Sequence, residues 1–134
     1  QIGVITGLSF ASGKAELARA ALEAMAHQTH DLAKAFAADG AEWETLRIDG
    51  GMAVNNWMAQ DIANVLGSRV ERPDFVETTA LGAAMLAAAG VGLYADINDA
   101  AEAMRGKLAQ FTPDMREDVR SARLARWQKA LNAA

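Results

Sequence analysis

The sequence predicts an α/β fold that is rich in helix. Three observations predict it. Short stretches of strand type alternate with longer stretches of helical period. Glycines stand at most of the junctions between them. Alanine, the best helix former, fills 31 of the 134 positions. Hydrophobic residues make up 51% and charged residues 22%, an ordinary globular balance that argues against disorder.

Taken in order, residues 2–8 (IGVITGL) read as a short strand running into a loop, and Ser12 as the cap of the helix that follows. That helix is expected from Lys14 to Ala38, with Ala18, Leu22, Met25, Thr29, Leu32 and Phe36 as its apolar stripe and Gly40 as its stop. Thr45 to Asp49 alternates as a second strand, followed at once by Gly50-Gly51. A second helix is expected from Asn55 to Leu66, with Gly67 after it. Residues 69–72 read as a third strand that Pro73 ends, because proline cannot donate to a ladder. Thr78 or Thr79 would cap a third helix reaching Ala89, and parallel strands joined by these helices would use right-handed crossovers.

Composition changes near Asp96. Residues 1–101 carry a net charge of -7 and residues 102–134 a net of +3. This tail is expected to hold a helix from Ala101 to Leu108, a break at Pro113, and a last helix ending near Asn132. Arg116, Arg120, Arg123 and Arg126 are interrupted by Glu117 and Asp118, so a solvated helix face is the better reading than a nucleic-acid patch. The whole chain has a net charge of -4, which also disfavours broad nucleic-acid binding. The longest small and apolar run, Thr79 to Leu93, is shorter than the roughly 20 residues of a bilayer span, so no membrane contact is expected. The absence of cysteine excludes disulfides and thiolate metal sites and fits a reducing, cytoplasmic setting. The chain begins at Gln1 without an initiator Met or a leader, and is expected to start inside a longer protein.

Four features bear on chemistry. Gly7 to Lys14 imitates a phosphate-binding P-loop but fails it twice. Five residues separate Gly7 from Gly13 where the motif needs four, and Ala15 replaces the magnesium-holding Ser or Thr. His27, His30 and Asp31 have metal-like helical spacing, yet the chain has only 2 histidines and no second cluster, so a polar helix flank is the better reading. Thr78, Thr79, Gly82 and Gly90 are assigned to close packing. Asp49-Gly50-Gly51 says most. It sets a carboxylate at a strand's carboxyl end, where open α/β sheets bind ligands, and then bares the backbone. Asn55 and Asn56 open the next helix with free amides and unpaired N–H groups. A tight turn with an Asn cap explains the same residues equally well.

The segment Leu46 to Gln60 (LRIDGGMAVNNWMAQ) resembles the adenosine segment of the FGGY carbohydrate kinases. Val70-Glu71-Arg72-Pro73, then residues 77–84 (ETTALGAA), then Val91-Gly92-Leu93, and the earlier residues 19–29 (RAALEAMAHQT), are similar to its glycerol-phosphorylating branch, in order and spacing. The resemblance implies part of an actin-like, ribonuclease H-like ATPase domain, with the domain's first strands absent. Residues 1–95 would be the nucleotide side of the family's C-terminal domain, and 96–134 a helical extension of it. It implies that Gly51 lies against the nucleotide, that Gly50 shapes the same turn, and that Asn55 reads the adenine edge. It further implies ATP or ADP with Mg2+ as cofactors, glycerol or a related polyol as substrate, and a homo-oligomer as the intact enzyme. The catalytic base, the glycerol-binding residues, the phosphate turns and the magnesium ligands would lie upstream. No catalytic residue is therefore assigned here, and the chain alone is expected to be inactive. The strand at Ile2 would lack its sheet neighbour.

Two departures bear on the substrate. Gly7-Leu8-Ser9-Phe10-Ala11 stands where the branch usually has Gly-Leu-Thr-Arg-Gly, and His27 where an aromatic is usual. A pentulose or other sugar kinase of the same family is one alternative. A non-catalytic interaction or oligomerisation module is another.

Overall fold

The computed structural model describes residues 3–75 and 77–133. The first helix, α1, spans Lys14–Ala38, as its period predicts. Ser12 is not its cap. Gly13 takes that place, its N–H donating to Glu16 Oε2 at 2.8 Å, while Ser12 Oγ accepts from the Ser9 N–H at 2.9 Å. At the far end Gly40 turns left-handed at φ 85° and the Ala41 N–H closes back onto the Phe36 carbonyl at 2.9 Å.

A three-stranded sheet follows, in the order β1-β2-β3. β1 is Thr45–Arg47, β2 Arg69–Pro73 and β3 Leu108–Phe111. β1 and β2 run parallel, with Leu46 opposite Val70. β3 pairs antiparallel with β2, with Glu71 opposite Gln110. The connection from β1 to β2 passes through a short 3-10 turn at Gly51–Val54 and helix α2, Asn56–Leu66. Helices α3, Thr78–Gly90, and α4, Ile97–Met104, come next, and α5, Glu117–Asn132, closes the chain. Among the described residues, no helix is long and apolar enough to cross a membrane.

Three expectations need correction. Residues 3–8 form no strand, and the remainder of that expected strand, Ile2, lies outside the described residues. An isolated segment cannot hold strand geometry without a ladder, and no described strand pairs with it. The tail helix expected at Ala101–Leu108 is instead Ile97–Met104, because Asp96 caps it by accepting from the N–H groups of Asn98 and Asp99 at 2.7 and 3.0 Å. The residues behind Gly106 then become β3, which local propensity does not announce and pairing with β2 decides.

The third correction concerns α1 and α5. Met25, Leu32 and Phe36 of the expected stripe remain 40, 53 and 42% exposed. The buried line runs beside them, through Ala26 and His27. Ala26 enters the core with Met58, Ile62, Ala63, Val65 and Val70. Its polar neighbours are buried because α5 supplies partners for them. Arg123, expected in solvent, is only 8% exposed and grips Asp61 of α2 bidentately, at 2.6 and 3.0 Å. The Trp127 ring stacks on His27 at 5.1 Å, and its Nε1–H donates to Asp31 at 2.6 Å. Arg120 donates to the Leu66 carbonyl at the end of α2.

Candidate functional site

The parallel ladder delivers the chain to the site. Beyond β1, the Ile48 N–H still donates to the Glu71 carbonyl at 2.9 Å, so the backbone stays aligned with the sheet up to Asp49. The Asp49 carboxylate then accepts a hydrogen bond from the Thr78 hydroxyl, in the first turn of α3. Gly50 follows at φ 84° and ψ 173°, a conformation open only to glycine. The chain then tightens through the 3-10 turn, which the Ala53 N–H closes by donating to the Gly50 carbonyl at 3.0 Å.

Arg72, from the neighbouring strand, donates to the carbonyl of Ala53 at 2.6 Å, and Ala53 itself is 1% exposed. Asn55 ends the turn and caps α2, its Oδ1 accepting from the Met58 N–H at 3.2 Å. That bond occupies the amide oxygen. Among the described residues the Asn55 NH2 group donates no hydrogen bond, so its two donors are spare.

Gly51 differs from Gly50. Its φ is not positive, and a Cβ built on it meets nothing within 4 Å. Neither backbone geometry nor crowding in this chain requires a glycine there. The turn is therefore held at both ends and bare in its middle, at Gly51 and the exposed Met52. Gly50, Gly51 and Asn55 are brought together within this single turn.

A cavity of about 350 Å3 opens beside the turn, at the carboxyl ends of β1 and β2. It is lined by Asp49, Arg47, Thr78, Leu81 and Arg105 among others, but not by Gly50, Gly51 or Asn55. Sequence reasoning assigned Thr78 to packing or capping and missed Arg72. Glu77 is the residue at the helix cap, and Thr78 and Arg72 are the two side chains that fix the turn. The signal for Arg72 was an arginine beside proline at the end of a short strand, too common to single out.

The histidine cluster resolves as a polar flank. His27 lies under Trp127, and Asp31 is occupied by Trp127 and by Gln128, which donates at 3.2 Å. Burial pushes both His27 and His30 below the ordinary histidine value of 6.5. Among the described residues, no three His, Asp or Glu side chains converge as metal ligands would.

Residues 1–91 match the model of the FGGY family of carbohydrate kinases, C-terminal domain. The chain belongs to this family. Curated relatives include glycerol kinases of Rhodospirillum centenum, 50% identical over 96% of this chain, and Alcanivorax borkumensis, 48% identical over 96% of it. The chain spans about a quarter of their length, 26% in each case. Among solved structures, a glycerol kinase of Plasmodium falciparum with ADP superposes over 97% of this chain with a TM-score of 0.80 and 28% identity. A xylulose kinase of Rhodospirillum rubrum superposes over 96% with a TM-score of 0.72 and 28% identity. The chain covers 26% of each of those two chains. The fold is accordingly that of part of an actin-like, ribonuclease H-like ATPase domain, and the glycine turn described above is an element of an FGGY C-terminal domain.

Proposed function

We propose that this chain supplies one wall of the adenosine pocket of a kinase that transfers the γ-phosphoryl group of ATP to a terminal hydroxyl of glycerol. The observation that carries the reading is Gly51. It is a glycine that neither its backbone angles nor its described neighbours require, set between two pinned ends at the carboxyl end of the parallel pair β1 and β2. A ligand that must approach the backbone closely explains such a residue. Gly50 makes the turn possible, Gly51 leaves room for the nucleoside, and the spare donors of Asn55 face acceptors such as the ring nitrogens of adenine. The relatives named above, glycerol kinases at 48 and 50% identity, support glycerol as the acceptor.

Magnesium neutralises phosphate charge in phosphoryl transfer of this class. Its ligands are read as lying in the rest of the intact enzyme, and no step here is assigned to a metal. The residues of this chain bind and orient the nucleoside. The acceptor and the phosphates would be handled by the rest of the intact enzyme, and this chain alone would be inactive. Cytoplasmic residence and a homo-oligomeric enzyme belong to the same reading.

Xylulose or another sugar is the second reading. The superposition on a xylulose kinase and the unusual Ser9-Phe10-Ala11 stretch favour it.

Calorimetric titration of ADP into the intact kinase tests the wall. Gly51→Ala is expected to weaken binding at least tenfold, roughly the effect of one misplaced contact, with an unchanged melting temperature. Asn55→Ser keeps a capping oxygen but loses the amide donors, so affinity should fall while stability holds. Unchanged ADP affinity in both variants would refute the wall and favour a non-catalytic interaction module. A panel of glycerol, xylulose and other polyols decides the acceptor.

A further inference from the structure

The glycine turn is bare toward solvent but fixed from behind, and the two fixing contacts come from different elements. Asp49, just before the turn, is held by Thr78 of α3. Ala53, at its end, is held by Arg72 of β2 through a 2.6 Å bond to its carbonyl oxygen. The Arg72 guanidinium is in turn seated over the Phe111 ring of β3, 5.4 Å from its centre, so the arm that reaches Ala53 is oriented by the antiparallel strand. β3 thereby gains a purpose beyond completing the sheet.

We propose that Arg72 is a positioning residue for nucleotide binding, with Thr78 as its counterpart at the other end of the turn. It touches no ligand, and it acts by holding the Gly51 backbone where a nucleoside meets it. The inference rests on the adenosine-wall reading above.

The chemistry of the contact supports a guiding role. A charged donor to a backbone carbonyl gives a stronger bond than a neutral one. The receiving carbonyl belongs to a short turn whose own backbone ties include only local bonds, from the Ala53 N–H to the Gly50 carbonyl at 3.0 Å and from the Asn55 N–H to the Met52 carbonyl at 3.2 Å, and neither bond reaches the sheet. Without Arg72 the turn keeps its glycine geometry but can shift along the sheet edge. A small shift of a preorganised binding surface is costly to the ligand and cheap to the fold.

The test compares variants of the intact kinase. Arg72→Gln removes the charged fork and is expected to raise KM for ATP about tenfold, the scale of one charge-assisted hydrogen bond. The KM for the polyol should stay within about twofold, because the polyol does not meet this turn. Arg72→Lys can still reach the Ala53 carbonyl with one N–H and should restore most of the loss. A purely structural role would lower the melting temperature and the active fraction without separating the two KM values.

If Arg72→Gln fails to fold, Thr78→Val tests the other anchor and should move the ATP KM in the same direction. The proposal is overturned if neither variant changes the ATP KM while Gly51→Ala raises it. If Gly51→Ala leaves it unchanged too, the adenosine wall itself falls, and the role of Arg72 with it.

Discussion

The pair formed by Arg123 and Asp61 is the sharpest place to perturb the fold. Arg123 is 8% and Asp61 4% exposed, and their two bonds of 2.6 and 3.0 Å join α5 to α2. Glu23 of α1 lies 3.8 Å from the same guanidinium, so three helices meet at this cation. The hydrogen bonds to Asp61 push the Arg123 guanidinium pKa above its ordinary value despite the burial. Replacing Arg123 by Met preserves volume and leaves the Asp61 carboxylate buried without its main partner. Breaking a buried pair in this way costs about 3–5 kcal/mol. A domain of this size has roughly 7–20 kcal/mol in total, so a large part of its stability goes. Thermal unfolding should report a fall of about 10–20 °C in Tm. The paired change Asp61→Leu with Arg123→Met removes both charges and should recover most of the loss, because apolar residues of similar size replace a buried pair at little cost. Urea unfolding of the wild type, both single variants and the double variant closes the cycle. A coupling energy below about 0.5 kcal/mol would refute the reasoning, since residues in one network couple by more than that. α5 would then be held by Trp127 rather than by the ion pair.

Three further perturbations follow from the same packing. His27 and His30 are held below 6.5 by burial, so as pH falls through 6.5 the unfolded chain takes up protons that the folded one declines. Stability is full above that value and lost below it, and His27→Phe, which keeps a ring on Trp127, should flatten the Tm profile between about pH 7.5 and 5.5. Glu16 and Glu117, held below 4.5 by the Gly13 N–H and by Arg120, act only in a more acidic window. Gly67 ends α2 at φ 71°, and a Cβ there collides with the Arg120 guanidinium, so Gly67→Ala should lower stability by about 1–2 kcal/mol in denaturant titration. Trp127→Phe keeps the stack on His27 but leaves Asp31 without its 2.6 Å donor, for a loss of about 1 kcal/mol by the same measurement.

What was legible in the sequence is what local chemistry decides. The bounds of α1 and α2, the left-handed stops at Gly40 and Gly67, and the strand carrying Leu46 follow from period, glycine and alternation. The turn at Gly50, Gly51 and Asn55 was legible for the same reason, being continuous in sequence. The larger misses depend on a partner distant in the chain. β3 exists because β2 offers it a ladder, and Arg123 is buried because Asp61 lies 62 positions away to receive it. An arginine series with acidic neighbours reads as solvated until the helix opposite is known to present a carboxylate. The same logic separates the two glycines at the site. Gly50 is explained by its own backbone angles, and any chain with this turn would need it. Gly51 is not explained by its own backbone angles or by crowding among the described residues, and Arg72 and Thr78 are the ties that hold the turn on either side of it. The local rule finds the turn, and the distant contacts fix its position on the sheet.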